Sequence, residues 1–497
     1  MTKQKPQHRT VRGQLLLLNN QTQSTDQIKQ TIQNTATLSK LPPNTWHTSP
    51  NRSFSFNDTQ DTFSIDRIEI SKQETANKTR TEVEKQVVDL ARTLKVSFSQ
   101  TTLSSQSDPI VTPNWLVGSS PHVDATGGPG GRPVAPDSAS LQSGSEVAPW
   151  HFTLPPALTK TPPEQRGAGV DVFILDTAPK QTDIDDAYQR WHATNPLLAS
   201  LLQPGGPLQL HTLPVVEDHL DQDVDYELPD HPYKMPDHGL FVAGIIHTIA
   251  PKAILHLVRV LNDYGIGSYE SILRGLQFVH QNVSGAKVLV NASLCFDLAQ
   301  PDAAWLKHWS NFDPFWQGWH PDEIKHMAQP LDRTCQMLHR NGQHIVAAAG
   351  NDREGLNSQL PPARFPAACP NVLGVGALRR DNTPASYSNV SDLPRGDGLA
   401  TFGGHSNATT DMTNATDGML GVYIGTYPDG GDNTSGWARW AGTSFATPII
   451  TGALAVLVAD GYSVANATQQ LRNSAPGGGK QTVLGEVFPV KQGEPWS

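Results

Sequence analysis

From Pro149 onward, short apolar runs rich in β-branched residues alternate with stretches of helical periodicity, and no other property of the chain restricts its fold as strongly. The runs are Val170–Leu175, Ile254–Val260, Lys287–Ser293, His344–Ala349 and Val372–Ala377; the helical stretches are Phe241–Thr248, Ser268–Asn282, Leu331–Asn341 and Ser444–Ala459. A strand that is apolar on both faces must be covered on both faces. The pattern therefore predicts an α/β fold with a central, mostly parallel sheet and helices on either side. In such a sheet ligands bind at the carboxyl ends of the strands, so the residues directly after each run are the candidates for function.

A chain of 497 residues exceeds one ordinary domain. Residues 1–117 read as a small α+β unit preceding the main one. Its signals are an apolar strand at Gly13–Asn19, Ile28 and Ile32 four apart, and Val83, Val87, Leu90 and Leu94 at helical steps. Alternating segments at Phe63–Ile70 and Lys95–Ser99 flank that helix and suggest a small antiparallel sheet. Residues 118–147 are rich in Gly, Pro, Ser and Asp, with Gly127-Gly128-Pro129-Gly130-Gly131 at their centre, and read as a cleavable linker. Residues 148–475 form the α/β unit and 476–497 a C-terminal tail.

Thirty-seven basic against 47 acidic residues give a formal charge of −10, and no Lys/Arg-rich block of the kind that grips phosphate backbones is present. Nucleic acid is thereby excluded as an expected partner. No apolar run reaches eighteen residues, so no membrane-spanning helix is expected. Basic residues Lys3, Lys5, Arg9 and Arg12 precede an apolar patch, but Leu15–Leu18 is too short for the core of a secretory signal and reads as a strand. Three cysteines, Cys295, Cys335 and Cys369, cannot all pair within the chain, which favours a reducing compartment.

Three positions carry chemistry. Asp176 ends the run Val170–Leu175, His238 opens a helix in Asp237-His238-Gly239-Leu240-Phe241-Val242-Ala243-Gly244, and Ser444 opens another in Gly442-Thr443-Ser444-Phe445-Ala446-Thr447-Pro448. Pro448 is expected in the first turn, where no amide donor is needed. A serine hydroxyl is a poor nucleophile at neutral pH unless a base takes its proton and an acid holds that base in the right tautomer. His238 and Asp176 supply those two roles, and the helix N-terminus adds a free amide beside the hydroxyl. Asn351, after Ala347-Ala348-Ala349-Gly350, is placed to donate its amide to an oxyanion.

These blocks, in the order Asp176, His238, Asn351, Ser444, resemble the subtilisin-like serine proteases over about Trp150 to Ala475. The resemblance implies an endopeptidase acting on polypeptides through an acyl-enzyme on Ser444, with no organic cofactor and no metal at the catalytic site. It also implies that Gly265, Ile266 and Gly267 pair with substrate residues upstream of the cut. Ser293 and Leu294 would wall the primary specificity pocket, and Ala348, Ala349 and Gly350 would floor it. The N-terminal unit is similar to the family's propeptides, which act as intramolecular chaperone and inhibitor. Ile110-Val111-Thr112-Pro113-Asn114-Trp115 resembles the closing segment of such a propeptide, and Ala148-Pro149-Trp150-His151-Phe152 the opening of a mature domain, which puts maturation between Trp115 and Trp150.

Ala178 and Pro179 after Thr177, and Leu240 after Gly239, depart from the family's usual residues without removing a functional group. Cys295 and Phe296 stand where the family generally has glycines, which predicts a narrowed primary pocket. The apolar floor favours an apolar residue before the cut. The acidic stretch Glu217, Asp218, Asp221, Asp223, Asp225, Glu227 and Asp230 lacks the glycine turn of an EF-hand and reads as a solvated loop, structural calcium being allowed by the resemblance but required by no motif. The insert Asp297–His326, with Trp305, Trp309, Trp316 and Trp319, either covers the cleft or buries its own rings. Two other functions share the site: a catalytically inactive binding protein of the same fold, and a ligase or cyclase that passes the acyl group to an amine. Localisation stays open between the cytoplasm and non-classical export, because the propeptide-like unit argues for export and no clear signal peptide supports it.

Overall fold

The computed structural model describes residues 9–20, 25–38, 46–48, 53–58, 61–101, 109–119, 132–137, 141, 147–155, 158, 160–214, 216, 234–282, 287–296, 298, 302–312, 314–352, 360–391, 398–404, 418–474, 481–482 and 485–494. The acidic stretch after Val216 and the glycine run of the linker lie outside them.

In the N-terminal part, β1 (Thr10–Asn19), β2 (Trp46–Thr48), β3 (Phe54–Asn57), β4 (Thr62–Ile70) and β5 (Ile110–Ser119) form an antiparallel sheet in which β1 runs between β4 and β5. The helix Arg80–Thr101 packs on it through Val83, Val87, Leu90 and Leu94. Lys95–Ser99, expected as an extended segment, belongs to this helix. Phe98 follows Leu94 by four residues and is buried, while Val96 is exposed, so the apolar stripe simply continues for another turn.

The strands that follow are β6 (Phe152–Thr153), β7 (Asp171–Asp176), β8 (Leu208–Thr212), β9 (Ile254–Arg259), β10 (Ile266–Ser268), β11 (Val288–Ala292), β12 (Leu294–Phe296), β13 (Gln343–Ala348), β14 (Val372–Leu378), β15 (Leu399–Phe402), β16 (Met419–Val422), β17 (Trp437–Trp440), β18 (Gln481–Thr482), β19 (Gly485–Val487) and β20 (Lys491–Gln492). Nine of them make one sheet in the order β18-β19-β15-β14-β13-β11-β7-β9-β8, and every pair except β18 with β19 is parallel. The expected α/β class with a mostly parallel sheet is what the chain adopts. Side chains alternate across it as strand geometry requires: Val172 and Ile174 face the helices His238–Ile249 and Thr443–Ala459, whereas Phe173 and Leu175 face Tyr269–Asn282 and Pro321–Arg340.

Two further expectations are corrected. The helix expected from Leu331 begins at Pro321, because Pro330 does not stop it. The buried Tyr269 hydroxyl accepts from Leu331 N at 2.9 Å and lies 3.3 and 3.2 Å from the carbonyls of Met327 and Ala328, so it repairs the ladder where the proline ring disturbs it. The residues after 475 are more than a tail. β19 adds to the main sheet beside β15, β20 pairs with β6, and Val487, Phe488 and Val490 are buried.

The first sheet continues into the main body. β5 runs antiparallel to both β10 and β12 while still paired with β1, and Arg67–Glu270, Arg92–Glu323 and Arg340–Asp58 ion pairs flank the junction. One apolar core runs through both parts.

Candidate active site

Asp176 is the last residue of β7, and its carboxylate is wholly buried. Its Oδ1 accepts from Thr177 N and from His238 Nδ1, each at 2.7 Å. That bond holds the imidazole with its proton on Nδ1 and leaves Nε2 as the acceptor; among the described residues Nε2 has no hydrogen-bond partner. Close packing sets the distance. A Cβ on Gly239 would sit 2.2 Å from Thr177 O and 2.9 Å from Asp176 Cβ, so only glycine lets the His238 helix approach β7 this closely. The ring is enclosed by Trp440 and Phe445, both with centroids 5.3 Å away.

Ser444 lies in the first turn of the helix Thr443–Ala459. Its hydroxyl donates to Ser293 O at 3.2 Å, so in this structure the proton points at the carbonyl after β11 and not at His238. Pro448 falls in the second turn, a correction to the expected first. Lacking an N–H, it leaves the carbonyl of Ser444 without its helical donor, and Ser293 Oγ fills the vacancy at 2.8 Å. Ser293 is held in turn by Asn291 Nδ2 at 2.9 Å, and Asn291 by Thr451 at 2.9 Å. The Ser444 helix is thus bolted to the end of β11 by three polar side chains.

Asn351 follows β13 through Gly350, whose φ of +113° is a glycine conformation. Its Oδ1 accepts from Thr443 N at 3.1 Å and Thr443 Oγ1 at 2.9 Å, which turns Nδ2 toward Gly442, two residues before Ser444. Behind it, Arg364 grips Asp352 with two bonds of 2.6 and 2.7 Å and reaches Phe296 O at 3.3 Å. Asn389 Nδ2 donates to Asp352 Oδ2 at 2.7 Å, and Asn389 Oδ1 accepts from Asp352 N at 2.7 Å. Sequence reading missed this network. Arg364 and Asn389 sit in loops with no periodicity to point at them.

The residues expected to bind substrate line a cleft occupied by the chain itself. Ile266, Gly267 and Ser268 pair with Gly118, Val117 and Leu116 of β5; Leu294, Cys295 and Phe296 pair with Ser119, Gly118 and Val117. Gly265 turns the chain into β10 with φ +73°. Ala348, Ala349 and Gly350 lie beneath, where Cys295 Sγ donates to Ala348 O at 3.7 Å. Phe296 does not project into the cleft; its ring meets Tyr269 edge-on at 5.0 Å in the core. The narrowing expected of two side chains comes down to the cysteine. None of the three cysteines is in a disulfide, and all three are buried.

Asp237, unremarked in the sequence, is buried at the start of the His238 helix. Its Oδ2 accepts from Ile424 N at 3.0 Å and from Gly425 N, tying the loop after β16 to the site. Burial pushes its carboxyl up from 3.8 to about 6, helped by the charges of Asp183 and Asp263 and opposed by the two amides. A raised carboxyl stabilises the fold below pH 4 and loses that contribution as pH climbs to about 6, a span of roughly 3 kcal/mol. Asp237→Asn keeps an acceptor but no charge. Its melting temperature relative to wild type is expected to rise between pH 4 and pH 6.5; a difference that stays constant over that range would show that Asp237 does not titrate there.

A sequence model of the subtilase family matches residues 167–487. M-protease of Shouchella clausii (strain KSM-K16) is 27% identical over 259 residues, covering 50% of this chain and 52% of its own. Subtilisin Savinase of Lederbergia lenta is 27% identical over 259 residues, covering 50% of this chain and 73% of its own. The chain therefore spans about half the length of the first of these relatives. A solved cold-adapted subtilisin-like serine proteinase aligns with a TM-score of 0.39 at 19% identity, covering 65% of this chain and 89% of that one. The family match takes in Asp176, His238, Asn351 and Ser444 together, over about two thirds of the sequence, and the chain belongs to the subtilase family.

Proposed function

We propose that the chain is a serine endopeptidase that hydrolyses peptide bonds through an acyl-enzyme on Ser444. The observation that carries this reading is the 2.7 Å bond from His238 Nδ1 to Asp176, which leaves Nε2 without a partner among the described residues, while the ring packs on Phe445, next to Ser444, at 5.3 Å. For catalysis the Ser444 hydroxyl has to turn from Ser293 O to Nε2. The oxygen then attacks the substrate carbonyl while Nε2 takes its proton, and Asp176 stabilises the imidazolium. Asn351 Nδ2 and the Ser444 amide receive the oxyanion. His238 returns the proton to the leaving amine, and water, activated in the same way, releases the acyl group.

The N-terminal unit is proposed as the chain's own inhibitor and folding partner. Strand β5 fills the position of a substrate between β10 and β12, with Ser119 opposite Leu294 and therefore adjacent to Ser293, the residue that holds the Ser444 hydroxyl. This register supports a maturation cut in the segment that follows Ser119. Polypeptides are the substrates.

The test is product analysis on a peptide substrate with and without an added amine nucleophile. Free acid is expected as the main product in both. Predominant ligation would replace the hydrolase by a transferase using the same acyl-enzyme, and no turnover together with no fluorophosphonate labelling would leave a binding protein.

A further inference from the structure

The aromatic insert does not bury its own rings against one another alone. Trp115 of β5 is completely buried among them: its indole stacks on Trp316 with centroids 6.1 Å apart and planes 15° apart, meets Phe315 edge-on at 6.2 Å and Trp319 at 5.9 Å. The three receiving rings also touch one another, between 4.9 and 5.7 Å, so the receptacle is built by the main unit. The indole N–H is satisfied from its own strand, by Thr112 Oγ1 at 2.9 Å. Guanidinium groups of the N-terminal unit cap the outside, Arg9 at 5.4 Å from Trp316 and Arg92 at 4.3 Å from Trp319.

The same strand that places Trp115 here continues through Leu116, Val117 and Gly118 in antiparallel register with β10 and β12, up to Ser119 opposite Leu294. A polypeptide bound in place of β5 therefore presents one side chain to these rings, four residues before the one opposite Leu294. Once Trp115, Arg9 and Arg92 have gone, three large rings face water, the kind of patch that marks a binding surface. We propose that Phe315, Trp316 and Trp319 form a distal subsite that takes an aromatic side chain of the substrate at that position. The inference rests on the endopeptidase reading and adds what selects the substrate. An aromatic residue carrying a threonine three positions before it, as Thr112 stands to Trp115, meets both the stacking and the hydrogen-bonding requirement of the site.

The full chain is incubated until its N-terminal sequence stops changing and is then offered two fluorogenic octapeptides copied from Thr112–Ser119, one with Trp and one with Ala at the position of Trp115. The Trp peptide is expected to have the higher kcat/KM by on the order of 10- to 100-fold. Trp316→Ala should reduce that ratio to within a fewfold, and Trp316→Phe should restore most of it, which a folding defect would not do. A ratio within twofold in wild type, or one untouched by Trp316→Ala, overturns the subsite and leaves the hydrolase intact. Absence of both cleavage and fluorophosphonate labelling instead removes the hydrolase reading. The subsite is then judged by fluorescence polarisation of the two peptides, dye-labelled, on the Trp115→Ala chain, where failure of the Trp peptide to bind more tightly than the Ala peptide overturns it.

Discussion

Ser444→Ala is expected to abolish fluorophosphonate labelling and to lower peptide hydrolysis by on the order of a millionfold in turnover, the loss established for the nucleophile of another member of this family. The stability of the variant should hardly change. The hydroxyl is buried and makes one bond, to Ser293 O, while the backbone carbonyl of Ser444 keeps its own donor, Ser293 Oγ. Removing one hydrogen-bonding hydroxyl costs about 1 kcal/mol, a few degrees of melting temperature at most for a chain of this size. Maturation should fail with activity, so the variant should keep its full length where wild type shortens. Persistent labelling in Ser444→Ala would place the nucleophile elsewhere, and persistent shortening would take the maturation cut away from this site.

How far these features could be read in advance follows from where each one's cause lies. The sheet was legible because its cause is local. A run such as Val170–Leu175 has apolar residues on both faces, and Val172 and Phe173 do enter opposite layers. The four motif residues were legible as candidates because each stands where an element begins or ends, and the fold brings those ends to one edge of the sheet. Tertiary partners decided the rest. Pro330 reads as a helix stop until Tyr269 supplies a hydroxyl to the broken ladder. Phe296 reads as an obstruction of the pocket until its ring is seen against Tyr269. Trp115 and Trp316 lie far apart in the sequence, and no spacing rule could join them. The same holds for Asp237, whose partners Ile424 and Gly425 are backbone amides and carry no side-chain signature at all.

Arg364→Met is expected to destabilise the protein by about 3–5 kcal/mol, the cost of leaving a buried carboxylate without its cation. Arg364 and Asp352 are 4% and 2% exposed, and the guanidinium makes both bonds of a bidentate pair with Asp352. With it gone, Asn389 Nδ2 is the one side-chain donor left to the Asp352 carboxylate among the described residues, and the group is 2% exposed. The damage should also extend to catalysis, because Asp352 directly follows Asn351 and the same network reaches the carbonyl of Phe296 at the edge of the cleft. Turnover should therefore fall further than the folded fraction does, up to the 10²- to 10³-fold that loss of one oxyanion donor costs. Removing both charges separates the two effects. In Arg364→Met combined with Asp352→Leu no ion remains buried, so most of the stability should return, while the backbone next to Asn351 still lacks its side-chain brace and turnover should stay low. Urea midpoints and kcat for the two single variants and the double variant measure both. A loss below 1 kcal/mol in Arg364→Met would mean that water or a neighbouring side chain takes the place of the guanidinium. Full recovery of kcat in the double variant would mean that Asn351 is held by Thr443 alone.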